Sequence, residues 1–285
     1  MTFNLNTYLT TRKQRVEEHL FNCLPIDSGI QAPLTAAMRH AVRSGGKRLR
    51  PILCLAAAEA VNGKYEDVLN AASAVELLHT YTLVHDDLPC MDNDLLRRGQ
   101  PTVHAKYGEA IGILAGDALQ TLAFEILART PEKQAGAVAQ LITELAVAAG
   151  AAGVIAGQAE DIRCANTATR EEITYIFQHK TADLFRTACR LGALAAGAQK
   201  EHLDQLSRYA NGLGFAFQII DDLLDAQGTD QDAPKELSCL MVMSAQEARE
   251  WAEQQTTRAI EALEGLPGET EPLAALAASL LQRLV

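Results

Sequence analysis

Positive charge is scarce in this chain. Over 285 residues, 25 lysines and arginines stand against 36 aspartates and glutamates, a net charge of −11. That balance excludes an electrostatic nucleic-acid binder and a polybasic membrane anchor. Cysteine pairing is missing too. Cys23, Cys54, Cys90, Cys164, Cys189 and Cys239 form no C-x-x-C and no close pair. This excludes a zinc knuckle or a dithiol redox motif, and most of the six read as small buried hydrophobes. The opening "MTFNLNTYLTTRKQRVEE" has no apolar h-region, and no apolar run reads as membrane-spanning. The expectation is a reduced, soluble, cytoplasmic protein. Strand alternation and hairpin dipeptides are also missing.

What remains is helical periodicity nearly throughout. Long helices are predicted over 7–23, 65–88, 103–130, 134–163, 169–198, 201–227, 244–264 and 270–284. Loops are predicted at "CLPIDSGIQAP", "VNGKYED", "RTPEK", "CANTATREE", "QGTDQDAPKE" and "EGLPGETEP". Thr167 reads as the N-cap region before Glu171 and Glu172. No linker divides the chain and no fixed-period repeat stands out. The pattern predicts one all-α domain over 1–285, with helices that are apolar all round at its centre.

Two acidic clusters interrupt this apolar background. "GFAFQIIDDLLD" places Asp221 and Asp225 four apart, within roughly 40° of each other on a helix, with Asp222 one position round. Carboxylates in an apolar run are costly unless paired or metal-bound. "TLVHDDLPCMDNDLLRRGQPT" places Asp86 and Asp87 before Pro89, and Asp92 after it. Proline disfavours helix at Leu88, so the chain is expected to turn and bring Asp92 back toward Asp86. A solvated acidic face explains either cluster alone. Two of them, each ending an apolar helix, fit magnesium, which takes a few carboxylates and completes its shell with phosphate oxygens.

The few cations are also clustered. "RSGGKRLRP" holds Arg43, Lys47, Arg48 and Arg50 after Gly45 and Gly46, with Pro51 suited to a helix's first turn. A basic loop entering a helix is a good anion site. Arg97 and Arg98 follow the first acidic cluster, and "HKTADLF" puts Lys180 and Thr181 inside an apolar helix. His79 and His85 alone read as ordinary helix histidines. Together, metal-binding acid and separate basic groups suggest two polyphosphates, one held through metal and one by cations. The apolar helices between them suit a greasy organic group.

These motifs resemble the trans-isoprenyl diphosphate synthases, and within them the bacterial farnesyl diphosphate synthases. The resemblance spans Asn22 to Arg249 and rests on "GGKRLRP", "LLHTYTLVHDDLPCMDNDLLRRGQPT", "ILAGDAL", "GQAED", "HKTADLF" and "GFAFQIIDDLLD". It implies the isoprenoid synthase fold: an all-helical homodimer, each chain a bundle around a deep central cavity. It also implies a magnesium-dependent prenyl transfer between isopentenyl diphosphate and an allylic diphosphate. On this resemblance Asp86, Asp92 and Asp221 are metal ligands, with Asp87, Asp222 and Asp225 completing the two motifs. Lys47, Arg50, His79 and Arg98 match holders of isopentenyl diphosphate, and Phe217 lines that pocket. Arg97 and Lys180 match contacts to the allylic diphosphate. Thr181 and Gln218 match groups near the developing cation, and Gln158 and Asp161 lie close to the metals. An aromatic at Tyr81, with Thr82 after it, resembles the arrangement that stops growth at fifteen carbons.

One segment departs from the family. The loop after the second motif is short, and Lys235 alone matches its later lysine. A weakly active or non-catalytic partner subunit is therefore a competing expectation, as is a geranyl or geranylgeranyl diphosphate synthase. A terpene cyclase shares only the first acidic motif. A phosphohydrolase, suggested by His85 and Asp86, would need further histidine ligands than the chain arranges.

Overall fold

The computed structural model describes residues 3–26, 28–130, 136–164, 167–227 and 237–284. Lys235 lies outside these residues. Among them, thirteen α-helices run in order: α1 Leu5–Cys23, α2 Ala32–Arg43, α3 Leu49–Glu59, α4 Leu69–Asp86, α5 Val103–Tyr107, α6 Glu109–Ala128, α7 Val138–Ala149, α8 Val154–Cys164, α9 Arg170–Ile176, α10 Asp183–Ala195, α11 Lys200–Asp225, α12 Ala245–Glu261 and α13 Glu271–Leu281. A π-turn over Phe177–Ala182 joins α9 to α10. Two strand fragments, β1 Leu96–Arg97 and β2 Gln100–Pro101, pair antiparallel after the first acidic motif. The fold is all-α, as expected.

α4 shows why the core sits where it does. Its residues from Ala71 to Leu78 are all buried, so the helix is enclosed on every side. Apolar residues round a full helix leave it no solvent face. α3, α6 and α10 pack against it, and α10 packs against α11. α10 reaches α3 through Gly192, where a Cβ would lie 1.9 Å from the Cys54 carbonyl oxygen. α10 thus links α4, which ends at Asp86, to α11, which ends at Asp225.

Several boundaries differ from the sequence reading. The run 134–163 breaks between Ala149 and Val154, where a Cβ on Gly153 would meet the Ala148 carbonyl at 2.1 Å. α9 starts at Arg170, one residue after the expected start, and the cap lies two residues after Thr167. Its N-cap is Thr169, whose side chain and that of Glu172 close a capping box, a device worth about 1 kcal/mol. α2 fills the end of a segment read as loop. By length and composition α6 is apolar enough to cross a membrane, with mean hydropathy 1.5, against the sequence expectation. It packs instead along α4 and α2.

Candidate active site

The first acidic motif turns as Pro89 requires. Asp92 N donates to the Asp86 carbonyl at 2.9 Å, and Asn93 N and Met91 N donate to the Leu88 carbonyl at 3.1 and 2.8 Å. Asp92 therefore comes back beside Asp86. Burial pushes the Asp86 carboxyl up to about 6, an effect that Lys180 opposes and Asp92 adds to. Lys180 pairs with Asp161 across from α8. Burial disfavours its charge, but Asp161, Asp86 and Asp92 outweigh that and raise its pKa. One ammonium thus faces three carboxylates.

A cavity of about 250 Å³ opens here. Asp92, Gln158, Asp161, Lys180, Thr181 and Gln218 supply its polar wall, and Ile162, Ile176, Phe177 and Leu237 its apolar wall. Thr181 Oγ1 donates to Gln218 Oε1 at 2.9 Å. The Gln158 side-chain oxygen is buried with no hydrogen-bond partner among the described residues. A buried polar atom without a partner calls for a ligand or water. An all-oxygen donor set of closely spaced carboxylates fits magnesium.

The second motif divides its carboxylates by task. Asp221 is half-buried and pairs with Arg283 at 2.7 Å; burial still holds its carboxyl above the usual range. Asp222 is buried. It accepts from Cys239 N at 2.7 Å and from Gln218 Nε2 at 3.1 Å, which fixes the chain after the short loop. Asp225 is exposed at the helix end. Asp87, in the first motif, is held in a similar way. Its buried carboxylate accepts from Arg97 Nε at 2.5 Å, because a buried charge needs a partner. Arg97 bonds Asp94 as well, at 3.1 Å.

The basic groups gather on a neighbouring wall. Arg98 donates to the Gly45 carbonyl and lies where a Cβ on Gly46 would stand, 2.4 Å from Nη1. Both glycines have positive φ, which L side chains rarely adopt. The double glycine therefore seats Arg98 within electrostatic reach of Arg50. Arg50 lies 3.3 Å from His79 Nε2 and over the Phe185 ring at 4.8 Å. Its Nε is buried without a partner among the described residues, a donor prepared for an anion. Burial lowers its pKa to about 10. Burial, then Arg50 and Arg98, push His79 well below its ordinary value, so it is neutral. Arg48 is different. It sits at φ 51°, buried, and binds Glu76 at 2.7 Å and Glu17 at 3.2 Å, so it holds the loop.

Phe217 lies 5.3 Å from Phe185 and 5.8 Å from the Arg283 guanidinium. Phe185, Glu76 and Arg283 were not singled out from sequence. Only the last phenylalanine of "HKTADLF" carried any signal. Tyr81 is buried on α4 with its ring perpendicular to His85 at 5.6 Å, and burial pushes its hydroxyl up to about 12. The Thr82 hydroxyl turns back onto the His79 carbonyl at 2.8 Å.

Comparison with known proteins gives the chain's relatives. A family model described as polyprenyl synthetase matches residues 31–258. The chain is similar to a chloroplastic geranylgeranyl pyrophosphate synthase of Capsicum annuum, 39% identical over 96% of this chain and 78% of that one. It is similar in structure to an FPP/GFPP synthase of Zymomonas mobilis, with TM-score 0.90 and 36% identity, covering 98% of this chain and 99% of that one. A geranyltransferase of Helicobacter pylori, solved with magnesium and isoprenyl diphosphate, matches with TM-score 0.83 and 31% identity over 100% and 98% of the two chains.

Proposed function

From the premise that this chain belongs to the polyprenyl synthetase family and is a prenyltransferase, we propose that it condenses isopentenyl diphosphate with dimethylallyl and geranyl diphosphates. Farnesyl diphosphate is the main product. One observation carries the reading: an acidic cavity with a buried unpaired acceptor adjoins a cationic wall with a buried unpaired donor. Such a pair of sites takes two diphosphates, one through metal and one directly.

Asp86, Asp92 and Asp221 would hold the magnesium, which supplies Lewis-acid neutralisation of the leaving diphosphate. Arg50 and Arg98, with Lys47 at the rim, grip the isopentenyl diphosphate. Neutral His79 keeps Arg50 in place without repelling it further. Lys180 and Arg97 face the allylic diphosphate and stabilise its charge as the carbon–oxygen bond breaks. Thr181 and Gln218 turn their hydrogen-bonded oxygens toward the cavity, beside the forming cation. The apolar wall excludes water, which would otherwise capture that cation.

The product length rests on Tyr81, a bulky ring one turn and a little more before Asp86. A geranylgeranyl product is the second reading, favoured by the pepper relative's activity. The protein is a homodimer in this proposal. Ile113 and Leu114 on the outer face of α6 are 46% and 51% exposed, an apolar surface that a second copy would cover. Light scattering should then give the mass of two chains. The cysteines are free thiols, which supports a cytoplasmic location.

The two arginines give separable tests. Arg98→Ala should raise the isopentenyl diphosphate KM and leave the allylic KM near wild type. Arg97→Ala should do the reverse. It should also lower the thermal midpoint, because it strands the buried Asp87 carboxylate. Steady-state kinetics with each substrate varied would decide it. If both variants weaken the same substrate, the division of the cations is wrong.

A further inference from the structure

We propose that Asp183 is a positioning residue: its buried carboxylate clamps the π-turn that aims Lys180 and Thr181 into the acidic cavity. This inference rests on the prenyl-transfer reading of that cavity. A π-turn is a rare, one-residue widening of a helix and needs something to hold it against the ordinary α form. Here the widened turn is Phe177–Ala182, and Asp183 N closes it onto the Gln178 carbonyl. Asp183 is 1% exposed. A carboxylate so placed must find donors, and it finds three. Gln178 Nε2 donates at 2.9 Å, His179 Nδ1 at 2.8 Å and Arg186 Nη2 at 3.0 Å. Two of these come from the π-turn itself and the third from α10. Gln178 Nε2 also reaches Asn211 Oδ1 on α11 at 3.4 Å, which ties the clamp to the helix that carries the second acidic motif.

The opposite side of the turn is shaped for the widened backbone. A Cβ on Gly157 of α8 would lie 2.3 Å from Lys180 N, and one on Gly214 of α11 would lie 2.6 Å from Ala182 Cα. Two glycines on two helices leave room for this bulge. The consequence is directional. Residues on an α-helix advance by about 100° each, so removing the extra residue of the turn would swing Lys180 and Thr181 round relative to α10. With the clamp closed, Lys180 reaches Asp161 and Thr181 reaches Gln218.

Asp183→Asn keeps the size of the side chain and removes its charge. It should lower kcat and raise the allylic KM, with a combined loss on the order of 10²-fold, the cost of misplacing reacting groups by about 1 Å. The isopentenyl KM should change much less, because Arg50 and Arg98 stand on other elements and meet α10 only where Arg50 lies over the Phe185 ring. In the ligand-free protein, amide hydrogen exchange of residues 177–183 should quicken while the rest of the chain exchanges as before. Gln178→Met removes one donor and the tie to Asn211, and should give a smaller change of the same pattern. It decides the matter if Asp183→Asn does not fold. Wild-type kinetics and exchange in a folded variant overturn the proposal. So does an equal rise of both KM values, which marks a general structural loss. If the wild-type protein transfers no prenyl group, the functional reading fails, and the exchange arm still judges the clamp.

Discussion

Asp86→Ala is expected to lower turnover by on the order of 10²–10³-fold, as removal of one stabilising group from a charged transition state does. The fold should survive. Burial already pushes the Asp86 carboxyl up to about 6, so its ionised form is unfavourable in the free protein. Replacing it removes a desolvated charge rather than a structural contact. Asp86 shares its space with Asp92 and with Lys180, and the Asp161 pairing shows how strongly that space attracts a cation. Losing one carboxylate weakens the set that would hold magnesium. Asp221→Ala should act similarly from the second motif, though it also leaves Arg283 without its carboxylate. Excess chelator should abolish turnover in the wild type. Full activity in chelator, or in a folded Asp86→Ala variant, would show that the acidic motifs serve something else.

Tyr81→Ala should lengthen the product from fifteen carbons to twenty or more. Tyr81 and Asp86 lie on the same helix, five residues apart, so the ring sits about a turn along the path of a growing tail. The ring is stiff and buried, and its perpendicular contact with His85 holds it. His85 is itself fixed. Its Nε2 lies 3.0 Å from the Ile113 carbonyl, and only a glycine at position 116 leaves space for it. Removing the ring opens a volume that neighbouring side chains on α4 cannot refill. Thr82 offers no substitute floor, because its hydroxyl is spent on the His79 carbonyl. Chromatography of the products distinguishes the outcomes. An unchanged fifteen-carbon product from a folded, active variant rules out Tyr81 as the stop.

The elements that sequence made legible share a physical feature. α4 is a long apolar run and α11 a long amphipathic one, each ending in acid, and the turn after Asp86 follows from one proline. The cationic cluster was legible because basic residues are so few. The π-turn was not, since widening a helix by one residue leaves its apolar pattern almost intact. The break after α7 was masked by alanine-rich sequence on both sides, although Gly150 and Gly153 marked it. The partners of Asp87 and Asp222 were not legible either. Only three-dimensional packing shows that Asp87 faces Arg97 and that Asp222 faces Cys239 N. Arg283 gave no local signal, because its partner Asp221 lies on a distant helix.

The most direct test is a purified-protein assay with magnesium, labelled isopentenyl diphosphate and dimethylallyl or geranyl diphosphate as primer. The predicted result is label in farnesyl diphosphate from either primer, abolished by chelator. No label in any prenyl product, with both primers and magnesium present, would contradict the account.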